Sequence, residues 1–364
     1  MRITILSFLL ATSATLFAQQ LDYKVEQNYA NWPKLVVSFS DAFFQTPEAV
    51  RIADNVLLYQ LDTGGWPKNI FMPTELTVDH KDLALGAKKN INEGTIDNSA
   101  TTTEIVYLAR LYKVHPDPRY KEAILHGLDY LFEAQYPCGG WPQCYPRKDS
   151  YVYEIEYNDD SNVHVLKLMR ELYSSPRYTF LPSSYRDRAQ IAFEKGVDCI
   201  LKTQISNNGK LTSWCAQYNP FTLQPAKARA YELISLSGQE SVGIILLLMS
   251  IEHPSQKVVN AVESSIAWLE KVKIEHLHKD IYINSDGKSD YRMVSCEDCP
   301  PLWARFYEIE TNRPFFCDRD GIKRYNLSEI GHERRTGYSW YSSNAIQALK
   351  RYQEWKVALS LKPL

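Results

Sequence analysis

Two short polar clusters, at residues 95–99 and 157–162, contain the residue types best suited to binding a metal ion. Each brings carboxylate, amide and hydroxyl groups together directly before an apolar run with helical spacing. Hard cations are bound by several such oxygens at once, so the clusters predict a metal site. Plain helix N-caps are the alternative, because Asp, Asn and Ser favour that position. Capping is the better explanation of either cluster alone, and the duplication strengthens the case for a metal.

Three arginines lie within three residues of aromatic or acidic residues in the second half of the chain: Arg229, Arg305 and Arg319. A planar guanidinium grips a carboxylate through paired hydrogen bonds, so these positions suit an acidic ligand. The simpler alternative is that each is a solvated or ion-paired surface side chain.

The overall charge narrows the range of partners. The 364 residues carry 41 Lys and Arg against 43 Asp and Glu, a net charge of -2. This balance predicts no general attraction to nucleic acid or to an anionic membrane. An acidic ligand would therefore need a local basic cluster. The 24 tyrosines and 8 tryptophans are typical of carbohydrate clefts, although aromatic residues also fill cores.

The first 18 residues have the pattern of a secretory signal peptide. Arg2 precedes a mostly apolar stretch that ends near Ala18, and this stretch is too short to anchor the chain in a bilayer. We therefore expect a secreted or periplasmic protein without a membrane segment in its mature form. Residues 26–364 show no domain boundary and predict a single domain of the size of a catalytic domain, which we expect to be a monomer.

The seven cysteines leave the disulfide pattern open, because an odd number cannot pair completely. Cys138 and Cys144 could close a small loop. Cys296 and Cys299 form a CxxC pair, but no second pair of ligands with zinc-site spacing lies nearby.

Apolar residues recur at helical spacing through most of the chain, whereas strand patterns are scarce. The best candidate for a strand is 280–284. The predicted helices cover residues 48–60, 103–114, 120–135, 163–172, 185–203, 240–251, 255–272 and 342–357.

A sequence repeat underlies these helices. The phrase GGWP at 64–67 recurs at 139–142, and a looser copy, LTSWC, occupies 211–215. A long period that holds two helices and a returning loop indicates stacked helical hairpins. Three hairpins closed into a ring form an all-α, (α/α)3 toroid with minor short strands. The two polar clusters would then lie in equivalent loops and could face one cleft.

Six motifs in this order resemble those of the family 10 polysaccharide lyases, which are pectate lyases. The resemblance runs from about residue 39 to residue 341. It implies the toroid fold and the Ca²⁺-dependent β-elimination of polygalacturonic acid to unsaturated oligogalacturonides. The motifs are GGWPKN, TIDNSATTTE, YNDDSN, AKARAYELISLSGQES, PPLWARFYE and TNRPFFCDRDG.

The resemblance also implies a metal site and a base. Asp97 and Asp159 match calcium-binding aspartates, and Asn98 could add an amide oxygen. Asp160 could assist or replace Asp159. Arg229 matches the arginine that the family uses as the base. Because arginine otherwise stays protonated, this role needs an alkaline optimum, crowding by Ca²⁺, or a hydroxide held by the guanidinium.

The remaining matches concern the substrate. Arg305 and Arg319 match residues that bind its carboxylates. Three further residues are candidates for sugar contacts, although a structural role explains each of them too: Lys68, Tyr338 and Trp340.

Two other functions stay open. An α/α-toroid glycoside hydrolase would use Asp97 and Asp159 as its paired carboxylates and would leave Arg229 as a substrate-binding residue. A non-catalytic carbohydrate-binding protein would explain the aromatic content without any turnover.

Overall fold

The computed structural model describes residues 31–360, so the predicted signal peptide lies outside the described residues. The described chain forms two compact units. The first contains the chain up to Ala134, with Cys144–Arg147 and Glu171–Arg186. The second contains Gln135–Gln143, Lys148–Arg170 and the chain from Asp187 onward.

About half of the described residues are helical, as the periodicity predicts. Within this part of the chain, no helix combines the length and apolar character needed to cross a membrane. The α-helices are α1 (Trp32–Ser38), α2 (Pro47–Tyr59), α3 (Val78–Ala87), α4 (Thr102–Tyr112), α5 (Pro118–Ala134), α6 (Ser161–Ser174), α7 (Ser183–Thr203), α8 (Glu240–Met249), α9 (Gln256–Lys271), α10 (His332–Thr336) and α11 (Ala345–Ser360).

All eight predicted helices are present, each with ends within three residues of the prediction. The prediction lacks α1, α3 and α10. These helices are short or bury little: of the residues in α3, only Ala84 is buried. A helix that buries so little shows no apolar stripe in its sequence.

The strands are short and pair two by two in antiparallel ribbons. In the described chain, β1 pairs with β4, β2 with β3, β5 with β9, β6 with β7, β8 with β12 and β10 with β11. The strands are β1 (Ile155–Glu156), β2 (Ser206–Asn207), β3 (Lys210–Leu211), β4 (Gln217–Tyr218), β5 (Leu236–Ser237), β6 (Leu277–Ile283), β7 (Ser289–Ser295), β8 (Trp303–Ala304), β9 (Phe306–Tyr307), β10 (Phe316–Cys317), β11 (Lys323–Arg324) and β12 (Tyr341–Ser342).

The same hydrogen bonds recur where α2, α5 and α7 end. In each case a glutamine amide donates to a carbonyl in the loop that follows and to a carbonyl of the next long helix. Gln60 donates to the carbonyls of Gly64 and Ala123, both at 2.9 Å. The equivalent pairs are Gln135 with Gly139 and Ala192, and Gln204 with Thr212 and Ala261. The repeat in the sequence is thus a repeat of physical contacts.

A buried tryptophan fixes each loop to the helix that follows it. The backbone N–H groups of Trp66, Trp141 and Trp214 donate to side-chain oxygens at 3.0, 2.8 and 3.2 Å, respectively. The acceptors occupy equivalent positions at the start of α4, α6 and α8: Thr101, Asn162 and Ser241. This bond holds the polar segment before each helix against the tryptophan loop.

A fourth tryptophan extends the pattern, although the sequence repeat does not reveal it. The indole N–H of Trp303 donates to the carbonyl of Leu269 near the end of α9 at 2.8 Å, as that of Trp214 donates to Ile200 in α7. The hairpin β6–β7 separates Trp303 from α9 in the sequence, which hides the relationship.

Candidate active site

The two polar clusters form tight 3₁₀ turns at Asp97–Ser99 and Asn158–Asp160. In both turns the second and third residues have left-handed backbone conformations, with φ of 52° at Asn98 and 50° at Asp159. This conformation is uncommon for residues other than glycine and often marks functional sites. Helix α4 makes no side-chain N-cap hydrogen bond. The first cluster is therefore more than a simple cap.

In the first unit, the Asp97 carboxylate is buried and forms an ion pair with Lys68. Its Oδ1 also accepts a hydrogen bond from the backbone N–H of Asn98 at 2.9 Å. The Asn98 side chain donates to Oδ1 of Asn69 at 2.8 Å. Lys68, predicted as a sugar contact, is thus the counterion of a predicted metal ligand.

In the second unit, the Asp159 side chain is 40% exposed. Its Oδ2 accepts a hydrogen bond from the Asn158 amide at 2.7 Å, and its Oδ1 lies 3.4 Å from Nη2 of Arg305. The carboxylate is therefore held in place from one side and open to a ligand from the other.

Arg305 is almost fully buried and contacts several side chains at once. Its Nη2 donates to Oδ1 of Asn158 at 2.6 Å and to Oε1 of Glu240 at 2.7 Å. Its guanidinium lies 4.6 Å from the centre of the Tyr338 ring. Burial acts to lower the Arg305 pKa, but the carboxylates of Glu240 and Asp159 outweigh it, so the pKa lies above its ordinary value.

Arg229 pairs with a buried carboxylate three residues away. Its Nε donates to Oε2 of Glu232 at 2.6 Å, and a second contact joins Nη2 to Oε1. The Tyr338 hydroxyl donates to the same Oε1 at 2.8 Å. Although burial acts in the opposite direction, the Glu232 contacts raise the Arg229 pKa. The guanidinium is thus firmly protonated as it stands.

These contacts form one chain of interactions from Arg229 through Glu232 and Tyr338 to Arg305 and Asp159. A cavity of about 800 Å³ lies beside it, within the range of small-molecule sites. The residues around this cavity include Asp159, Arg229, Lys279, Tyr291, Met293, Leu302, Arg305, Tyr338, Trp340 and Asn344.

Two residues predicted to bind the substrate, Trp340 and Arg319, are less accessible to a ligand in this cavity than the prediction requires. Trp340 borders the cavity but is only 1% exposed, and its indole N–H donates to the carbonyl of Arg334. Arg319 is exposed, pairs with Glu333 at 3.0 Å and is not among the residues that line the cavity. It is linked to Arg229 through the ring of Tyr231, which both guanidinium groups approach within 6 Å.

A smaller cavity of about 220 Å³ adjoins Asp159 and is rich in carboxylates. Asp160 and Glu240 line it with Asp159. Burial, followed by the charges of Glu240 and Asp159, raises the Asp160 pKa to about 7. Gly243 makes room for this side chain, since a Cβ there would lie 1.9 Å from Oδ1 of Asp160.

The donor chemistry of the predicted metal ligands suits a hard cation, since Asp97, Asn98 and Asp159 offer carboxylate and amide oxygens. Within residues 31–360, however, no group of three or more His, Cys, Asp or Glu side chains is arranged to hold a metal.

The sequence reasoning missed three residues of this site: Glu232, Glu240 and Lys279. Glu232 follows Arg229 by three residues, a spacing that could have indicated an ion pair. The partners Glu240 and Arg305 lie 65 residues apart, and no local pattern signals their contact.

Comparison with known proteins identifies the class to which this site belongs. The family model described as pectic acid lyase matches residues 60–348. The chain belongs to this family and is a polysaccharide lyase. A comparison with curated proteins finds no match.

Two solved structures share the fold. One is the family 10 polysaccharide lyase from Cellvibrio cellulosa, and the other is a point mutant of that enzyme in complex with trigalacturonic acid. Each is 34% identical in sequence, with a TM-score of 0.75, and the match covers 92% of this chain and 98% of the other.

Proposed function

We propose that this protein is a calcium-dependent pectate lyase that cleaves polygalacturonate by β-elimination. The observation that carries the proposal is the cavity lined by Asp159, Arg229 and Arg305, which combines a carboxylate with two cations. The trigalacturonic acid complex of the Cellvibrio enzyme supports the same class of substrate.

The reaction removes the proton from the carbon next to the uronate carboxylate. The electron pair left behind forms a C=C bond, the glycosidic C–O bond on the neighbouring carbon breaks, and the departing oxygen takes up a proton. That C–H bond is a feeble acid, so negative charge on the carboxylate must be stabilised as it grows. Arg305, which lines the cavity, is the proposed cation for this purpose, and Arg319, which lies outside the cavity, is proposed to bind another carboxylate of the substrate.

Arg229 is the proposed base. Its ion pair with Glu232 opposes loss of the proton, so we expect activity to rise with pH as the deprotonated fraction grows. Glu232 holds the guanidinium by two side-chain contacts, which fixes its direction.

Asp97, Asn98 and Asp159 are the proposed protein ligands of the calcium ion. When bound, the ion neutralises the substrate carboxylate and makes the adjacent proton easier to remove.

We also propose that the repeated hairpins close into an α/α toroid, since the same glutamine and tryptophan contacts recur in successive copies. The signal pattern at residues 1–18 supports export, and we propose that residues 26–364 act as one monomeric domain.

A product assay tests the reaction. The purified enzyme is incubated with polygalacturonate, and near-ultraviolet absorbance is recorded together with new reducing ends. A lyase produces both in equal number, and a calcium chelator abolishes both. Reducing ends without absorbance would indicate a glycoside hydrolase, and binding without new ends would indicate a carbohydrate-binding protein.

A further inference from the structure

The hairpin β6–β7 forms one wall of the larger cavity. Lys279 and Met293 lie opposite each other in its register, and Tyr291 is paired with the next residue on the same face, Ile281. Side chains on one face of an antiparallel pair lie close together. Accordingly, Lys279, Tyr291 and Met293 all border the cavity, and the ammonium of Lys279 lies 4.0 Å from the centre of the Tyr291 ring.

The charge of Lys279 is available to a ligand. The other two cations on the cavity are matched by buried glutamates, Arg229 by Glu232 and Arg305 by Glu240. Lys279 is exposed, and in the described part of the chain its ammonium contacts an aromatic ring rather than a carboxylate.

The hairpin holds Lys279 in a defined place. At its far end, Arg335 binds both carboxylate oxygens of Asp290 at 2.6 and 2.8 Å. At its base, the disulfide Cys296–Cys299 follows β7 directly, and the N–H of Cys296 donates to the carbonyl of His276 at 3.1 Å. The wall is thus tied to the rest of the second unit at its far end through Arg335, and at its base its two strands stay paired.

We infer that Lys279 binds the carboxylate of a galacturonate unit that lies outside the cleavage point. This inference rests on the proposed function. An ammonium on a flexible stem suits such an outer position, because it can follow a carboxylate without the fixed geometry that a guanidinium requires. Lys279 therefore gives the enzyme a preference for longer chains.

The test compares Lys279→Ala with Lys288→Ala, a change of an exposed lysine at the turn of the same hairpin that does not line the cavity. Initial rates are measured with polygalacturonate and with trigalacturonic acid. An exposed ion pair alters affinity by up to about fivefold. We expect Lys279→Ala to raise KM for the polymer about three- to fivefold, to leave kcat unchanged and to leave the trimer unaffected. Added salt should reduce the difference in KM between Lys279→Ala and the wild type.

The inference fails if Lys279→Ala matches Lys288→Ala, or if the polymer and the trimer are affected equally. A binding measurement separates this failure from failure of the proposed function. Calorimetric titration of hexagalacturonic acid into Arg229→Ala and Arg229→Ala/Lys279→Ala measures affinity without turnover. If the wild type forms no unsaturated product, the proposed function is wrong, and the difference in affinity still decides the role of Lys279. A folded Lys279→Arg variant should retain most of the affinity.

Discussion

Replacing Glu232 by glutamine tests how Arg229 works, because the substitution removes the charge and keeps the shape. Glu232 is 5% exposed in its side chain, whereas Arg229 is 44% exposed. The carboxylate accepts from the Arg229 side chain through both oxygens and from the Tyr338 hydroxyl. Glutamine can keep one acceptor, but its amide N–H₂ would face a donor.

The size of the effect follows from these contacts. A hydrogen bond to a charged group contributes about 1.5–3 kcal/mol, and solvent screening of the half-exposed arginine reduces this to about 1–2 kcal/mol. If this energy orients Arg229 in the transition state, kcat falls by about 5- to 30-fold. Since Glu232 raises the Arg229 pKa, its removal should also shift the rise of activity to lower pH.

The assay is the initial rate of unsaturated product formation from polygalacturonate as a function of pH. Glu354→Gln is the matched control, because Glu354 pairs with Arg351 three residues away on the exposed surface of α11, and we expect less than about a twofold change. An unchanged rate and profile for Glu232→Gln would refute the reasoning. A lower rate without a pH shift would mean that Arg229 acts as a fixed cation and not as the base.

Three further predictions concern the rest of the chain. Burial raises the Glu104 pKa from 4.5 to about 7, so the free energy of unfolding of the wild type should fall as pH rises from about 4.5 through 7. In urea unfolding, Glu104→Gln should therefore gain about 3 kcal/mol in unfolding free energy relative to the wild type between pH 4 and pH 8.5. Gly139 and Gly209 both have positive φ, but only at Gly139 would a Cβ collide, 2.1 Å from the Lys195 carbonyl oxygen; Gly139→Ala should cost about 2 kcal/mol more than Gly209→Ala. A hydrogen bond from Cys199 lowers the Cys138 pKa to about 6, so peptide mapping should find Cys138 alkylated first at pH 7.5.

The outcomes that would contradict these predictions are equally specific. If the difference in unfolding free energy between Glu104→Gln and the wild type did not change with pH, ionisation of the buried carboxyl would not be the cause of the pH dependence. Equal losses for the two glycine variants would show that the backbone conformation, and not the collision, sets the cost. Labelling of the buried Cys215 before Cys138 would contradict the order of thiol reactivity.

Eight of the helices could be predicted from the sequence because each of them buries a continuous stripe. In α5, for example, Ile124, Leu128 and Leu131 are all fully buried, and their spacing is the helical period itself. The hairpin β6–β7 was visible only in part, as residues 280–284, because no residue of β6 is buried: Ile281 and Ile283, for example, are 66% and 67% accessible. Without a buried face, a strand need not alternate apolar and polar residues along its whole length.

The candidate site was predictable only where its residues lie in local motifs. Asp159 and Arg229 stand in recognisable phrases, whereas Glu240 meets Arg305 across 65 residues and Asn158 meets it across 147. Such contacts depend on the packing of separate hairpins and leave no local pattern. The ion pair between Lys68 and Asp97, across 29 residues, was missed for the same reason.

The central claim is that the cavity of Asp159, Arg229 and Arg305 removes a proton from a uronate. The most direct test is the rate at which wild type and Arg229→Ala form near-ultraviolet-absorbing product from polygalacturonate at alkaline pH. We predict rapid formation by the wild type and a loss of about 10²- to 10⁴-fold in the variant, which should still bind trigalacturonic acid. Comparable rates for the two proteins, or chain cleavage without absorbance, would contradict the claim.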